Sequence, residues 1–130
     1  MLGRPVSVMG RVVPGDKRGQ SLGYPTANIL VDVKEIAVPP TGVYAVRILI
    51  GGRVFDGVAN IGVRPSFTSS SEEVIEVHLF DFDENLYGKE IIVQFFKRLR
   101  DEKKFSSKEG LIAQIRKDAH RARTILSRVK

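Results

Sequence analysis

Two runs rich in β-branched residues, Val43–Ile50 and Arg53–Val58, are separated by Gly51-Gly52 alone. A two-residue connection between antiparallel strands needs backbone at positive φ, which glycine supplies without steric cost. The segment therefore reads as a β-hairpin, and a hairpin commits its surroundings to antiparallel sheet. Residues 6–13 alternate loosely as a first strand, a short strand fits Ala27–Val31, and Val74–Phe82 and Glu90–Leu99 read as strands joined by the turn region Asp83–Gly88. Pro39-Pro40 marks a break. Residues 65–73, with Pro65 and then Thr-Ser-Ser-Ser-Glu-Glu, are polar without periodicity and read as a mobile loop.

The period changes near the end of the chain. Ser106-Ser107-Lys108-Glu109 presents a serine N-cap with a glutamate three residues later. Leu111, Ile112, Ile115, Ala119, Ala122 and Leu126 then recur at helical spacing. Short strands joined by turns and followed by one amphipathic helix imply a small antiparallel barrel or sandwich with a packed terminal helix. A length of 130 residues with 42% apolar content suffices for one such core.

Composition narrows the function classes. No run of eighteen apolar residues and no basic-then-apolar leader at Met1 is present, so neither a membrane span nor a secretory signal is expected. The absence of cysteine excludes disulfides and thiolate metal sites and fits a cytoplasmic protein. The net charge of +6 raises a nucleic-acid reading, and its distribution argues against one. Residues 97–130 hold 12 Lys/Arg against 4 Asp/Glu, whereas residues 1–96 hold 9 against 11. The positive charge thus sits on the terminal helix, where it reads as a solvated face whose late cations the helix dipole favours. Base stacking on a strand needs aromatics interleaved with Lys/Arg, but Phe80-Asp81-Phe82-Asp83 interleaves them with acids.

Chemistry is suggested at two places. Gly15, Gly19 and Gly23 lead into Tyr24-Pro25-Thr26-Ala27-Asn28. Glycines let backbone N–H groups approach a polyanion, and a threonine and an asparagine offer hard oxygens to a cation. In an extended segment residues 26 and 28 share a face. The combination suggests a nucleotide–Mg²⁺ site, although no Gly-Lys-Ser/Thr occurs and this is not a Walker A loop. The plain alternative is turns between strands and an ordinary strand start. In Val74–Phe80, alternation puts Ile75, Val77 and Leu79 on the core face and Val74, Glu76, His78 and Phe80 on the other. Glu76 then sits among apolar neighbours and needs a partner, as a member of a cross-strand pair or as a catalyst. His78 has no companion for a metal site and reads as structural, as does His120 on the basic helix.

Six blocks in order, Gly-Arg-Val-Val-Pro-Gly (10–15), Leu-Gly-Tyr-Pro-Thr-Ala-Asn (22–28), Gly-Val-Tyr-Ala-Val (42–46), Asn-Ile-Gly-Val-Arg-Pro-Ser-Phe (60–67), Val-Ile-Glu-Val-His-Leu (74–79) and Leu-Tyr-Gly (86–88), resemble the riboflavin kinase family. Arg-Asp-Glu-Lys-Lys-Phe (100–105) extends the resemblance toward the helix, and Leu2-Gly3-Arg4-Pro5 is similar to the bacterial branch. In that branch the kinase module follows an adenylyltransferase domain, which these residues lack and which would be a partner in a full-length protein. The chain departs from the common Pro-Thr-Phe at Pro65-Ser66-Phe67, where the hydroxyl survives.

The resemblance implies a six-stranded antiparallel Greek-key β-barrel with a C-terminal helix, formed by residues 1–130 as one domain. It implies ATP-dependent phosphorylation of the riboflavin 5′-hydroxyl to FMN, with Mg²⁺ arriving with the nucleotide. Glu76 would be the catalytic base, and Thr26 and Asn28 the metal ligands. Gly15, Ser21, Thr26, Leu79, Asp81 and Tyr87 would contact ATP, with Arg64 a further phosphate ligand. Arg100, Lys103 and Phe105 would hold the flavin, Phe105 serving otherwise as a hydrophobic staple for the Ser106 cap. Two other readings stand beside this one: a catalytically silent flavin-binding barrel, and a basic β-barrel that binds single-stranded nucleic acid.

Overall fold

The hairpin forms where the two glycines put it. Gly51 and Gly52 adopt φ of 54° and 84°, and Ile50 pairs with Arg53 across the turn. The structure, a computed structural model, describes residues 6–13, 26–33, 39–65, 71–80, 88–103 and 106–129; at 13, 26–33, 63–65, 71–74 and 108 it describes the backbone. Six strands and one helix follow in order: β1 (Val6–Val13), β2 (Thr26–Val33), β3 (Gly42–Ile50), β4 (Arg53–Pro65), β5 (Ser71–Phe80), β6 (Glu90–Arg100) and α1 (Lys108–Leu126).

All pairings are antiparallel, in the order β1-β2-β5-β4-β3-β6, and β1 also pairs with β6, so the order closes on itself as a barrel. The long β4 makes this possible. Its residues Arg53–Ile61 pair with β3 while Gly57–Pro65 pair with β5, so one strand carries the sheet from one neighbour to the other. Residues 71–73, expected in a mobile loop, belong to β5, and Pro65 ends β4; residues 66–70 lie outside the described residues. The expected strand ends at 82 and the turn region 83–88 fall, apart from Gly88, outside them as well.

Alternation along each strand fills the barrel. Val8, Val12, Val46, Ile48, Ile61, Ile75, Val77, Leu79, Ile91 and Val93 are fully buried in one cluster. Within it Tyr44 meets Phe95 edge to face at 5.2 Å and donates its hydroxyl to the Pro40 carbonyl at 2.6 Å, so the buried phenol is satisfied. A second cluster lies outside the barrel wall. There Val43, Ala45, Val58, Phe80 and Leu99 pack against Ala119, Ala122 and Leu126 of α1. The alanines let the helix approach closely, and the mainly β architecture with one C-terminal helix is as expected.

Both ends of α1 are tied down. Ser107, rather than the expected Ser106, is the N-cap, its Oγ accepting from the Gly110 N–H at 3.1 Å. Gly110 occupies the third helical position, so no capping box forms, while Glu109 in the first turn still complements the dipole. At the other end Arg47 of β3 donates to the Leu126 carbonyl at 2.9 Å, an acceptor that also receives the Val129 N–H at 3.1 Å.

Candidate active site

The outer surface of the sheet is ordered into rows by strand register. Ladder partners Arg100, Val43, Asn60, Glu76 and Leu30 cross it from β6 to β2. The next row holds Lys97, Ala45, Val58, His78 and Asn28, and beyond it Thr26 pairs with Phe80. Directly opposed residues share a face of the sheet, so positions 26 and 28 lie on the face of Glu76. Asn28 is one diagonal from Glu76, a Cα separation of about 7–8 Å. Ile75, Val77 and Leu79 point the other way into the barrel core, which is the alternation expected from the sequence.

Helix α1 covers the β3 and β6 end of this surface and reaches as far as Phe80, over whose ring Arg123 stands at 4.4 Å. His78 is half-buried under it. Burial lowers the His78 pKa to about 4, against the opposing pull of the Asp118 carboxylate, so the imidazole is neutral at pH 7.

Asp118 is the one buried charged residue of the described core. It accepts from Arg100 Nε at 3.0 and 3.2 Å and from Arg100 Nη2 at 2.7 Å, and Gln114 donates to it at 3.0 Å. Arg100 Nη1 meanwhile donates to the Asp101 carbonyl at 2.9 Å. The guanidinium at the end of β6 is thus clamped to the helix and to the segment that follows it. Sequence reasoning missed Asp118, although it stands in step with Ile115 and Ala122 on the apolar stripe. Two residues beyond Arg100, the exposed Glu102 lays its carboxylate against Gly62, the residue after next from Asn60 on β4.

The remaining expected site residues fall variously. The Leu79 side chain is fully buried in the barrel, leaving only its backbone for a nucleotide. Lys103 is exposed. Gly15, Ser21, Asp81, Tyr87 and Phe105 lie outside the described residues, and Arg64 is described in backbone only. Among the described residues no group of three His, Cys, Asp or Glu could hold a metal. A groove of about 340 Å³ at the β3–β4 turn, lined by Met9, Leu49, Arg53, Val54 and Ile92 among others, is six residues along β4 from Asn60, or about 20 Å away. It shares no residue with the rows above.

Residues 2–126 match the family described as Flavokinase, riboflavin kinase. The chain belongs to the riboflavin kinase family. The bifunctional riboflavin kinase/FMN adenylyltransferase of Bacillus subtilis (strain 168) is 46% identical over 124 residues, covering 94% of this chain and 39% of that protein. Its counterpart in Escherichia coli (strain K12) is 42% identical over 131 residues, covering 100% of this chain and 41% of that protein. The chain therefore spans about two fifths of the length of these relatives. Among solved structures, a Streptococcus pneumoniae chain described as a macrolide-efflux protein superposes with a TM-score of 0.84 at 32% identity, over 92% of this chain and 38% of that one. The riboflavin kinase of Trypanosoma brucei gives a TM-score of 0.61 at 20% identity, over 97% of this chain and 79% of that one, a likeness of fold alone.

Proposed function

We propose that this chain transfers the γ-phosphoryl group of ATP to the 5′-hydroxyl of riboflavin, giving FMN and ADP. What supports the reading most directly is the β2–β5 register, which sets the positions of Asn28 and Glu76 one diagonal apart on one face in a chain of the riboflavin kinase family. In this reading the barrel is the Greek-key riboflavin kinase barrel, residues 1–130 act as one kinase domain, and the protein works in the cytoplasm.

Thr26 and Asn28 fit Mg²⁺ by the chemistry of their donors, two neutral hard oxygens at alternate positions of a strand. Such a pair has little charge to hold the ion alone, so Thr26 and Asn28 would hold Mg²⁺ together with bound ATP, and the ion would neutralise charge on the phosphates. Gly15, Ser21, Asp81, Tyr87 and the backbone at Leu79 contact the nucleotide. Lys103 and Phe105 hold the flavin, together with Arg100 at the root of their segment. Glu76 takes the proton of the 5′-hydroxyl as the new O–P bond forms and the bond from phosphorus to the ADP oxygen breaks. An ordinary carboxylate, with pKa about 4.3, is a weak base for an alcohol, but in a largely dissociative transfer the proton leaves late. Orientation of the hydroxyl is then as much the task of Glu76 as basicity.

The test is to incubate the protein with riboflavin, ATP and Mg²⁺ and to follow FMN and ADP by chromatography. Equal amounts of the two products are expected. No FMN above a protein-free control would overturn the proposal, and riboflavin binding without product would favour a silent flavin-binding barrel.

A further inference from the structure

Asn60 carries a buried acceptor that its own chain does not satisfy. Its Oδ1 is shut off from solvent and has no hydrogen-bond partner. The row it stands in explains why. On the β3 side its ladder partner is Val43, which has no side-chain donor, and on the β5 side it is Glu76, whose ionised carboxylate can only accept. Arg100, at the end of the same row, directs its guanidinium to Asp118 and to the Asp101 carbonyl. A buried polar atom without a partner opposes folding, so its retention calls for a donor from outside the chain.

The surroundings favour a particular donor. Gly62, two residues on and on the same face, has no side chain, and the Glu102 carboxylate that rests on it belongs to an exposed, flexible side chain that can swing away. Glu76 and Asn60 are directly opposed, which puts their Cβ atoms about 4.5–5.5 Å apart. Neighbouring hydroxyls on a polyol are one carbon apart, so a polyol held by its terminal hydroxyl at Glu76 brings the next ones beside Asn60. The ring N–H of a flavin lies at the far end of the molecule from that terminal hydroxyl and is out of reach.

We infer that Asn60 is a specificity-determining residue whose Oδ1 accepts a hydrogen bond from a hydroxyl of the substrate's polyol chain, adjacent to the hydroxyl served by Glu76. The assignment rests on the reaction proposed above and adds to it a reader of the chain that bears the reacting group. It gives the acceptor a partner only when a polyol is seated, and it selects against flavins without one.

The experiment compares wild type with Asn60→Ala on riboflavin and on three analogues lacking the 2′-, 3′- or 4′-hydroxyl, by product formation and by quenching of flavin fluorescence on binding. The riboflavin KM of the variant is expected to rise about fivefold to tenfold, the size of one neutral hydrogen bond, with the ATP KM unchanged. One analogue should show that same loss on wild type and no further loss on the variant. A riboflavin KM within twofold of wild type overturns the inference, as does equal discrimination among the analogues by both proteins. Asn60→Ser serves as the second variant if alanine does not fold, with the same comparison read from it. Should wild type make no FMN, the reaction fails on that control, while the binding arm still decides for or against Asn60.

Discussion

Replacing Asp118 with alanine should cost more than any other single change to the charged residues of the helix. The carboxylate is 5% exposed and holds Arg100, itself 21% exposed, through three close N–O approaches. Removing one partner of a buried pair strands the other charge, which typically costs about 3–5 kcal/mol. Because a fifth of the Arg100 side chain already meets solvent, the guanidinium can partly rehydrate, and the lower end, about 3 kcal/mol, applies. For a chain of 130 residues, with an unfolding entropy of about 2.1 cal/mol/K per residue, that corresponds to a fall in melting temperature of about 11 °C. Urea unfolding of wild type, Asp118→Ala, Arg100→Ala and the double variant measures it. The double variant should be less destabilised than the sum of the singles, since neither charge is then left alone. Additive effects, or a single-variant loss below about 1 kcal/mol, would show that the pair is no more than a surface contact. Flavin affinity should weaken in Asp118→Ala while ATP affinity holds, because Arg100 roots the segment that reaches Lys103.

Glu76→Gln should lower kcat by about 10² to 10⁴-fold with little change in the ATP KM, and a loss under tenfold in an FMN-formation assay would exclude Glu76 as the base. His78 has a folded pKa near 4 against 6.5 when unfolded, so the unfolded chain binds the extra proton between those values. Its share of stability is present above pH 6.5 and is lost as pH falls toward 4, at no more than about 1.4 kcal/mol per pH unit; urea midpoints for His78→Gln should be flatter over that window than for wild type. Gly57→Ala would drive a Cβ into the His78 backbone carbonyl and should cost about 1–3 kcal/mol, whereas at Gly62 the nearest atoms are the end of the exposed Glu102 side chain, which can turn aside, and Gly62→Ala should cost less. Equal melting temperatures for the two alanine variants would contradict that contrast.

What the sequence disclosed followed from local rules. The Gly51-Gly52 turn, the β5 alternation and the helical period of α1 each depend on residues within a few positions of one another, and each appears as expected. The misses share a different cause. The expected strand Arg53–Val58 stops short, yet β4 runs on to Pro65 because β5 pairs with its backbone all the way there. Likewise Ser71–Glu73 look like polar loop until the ladder with Val63–Pro65 is formed. Asp118 was hidden by the basic helix around it, since its partner lies 18 residues away on another element.

The row that joins Arg100 to Glu76 sets out the polarity of the barrel's outside wall step by step. At one end the helix pairs Arg100 with Asp118, which engages that cation away from Glu76, the proposed base. Val43 follows as an apolar spacer packed under α1, which separates the ion pair from the polar positions beyond it. Asn60 and Glu76 then stand side by side as acceptors, and the β2 positions that bear threonine and asparagine continue the face. Side-chain oxygens concentrated along this face suit a substrate that brings hydroxyls and a nucleotide that brings its cation. A lysine at position 60 would place a cation directly opposite Glu76 and, in the proposed reaction, would weaken it as a base.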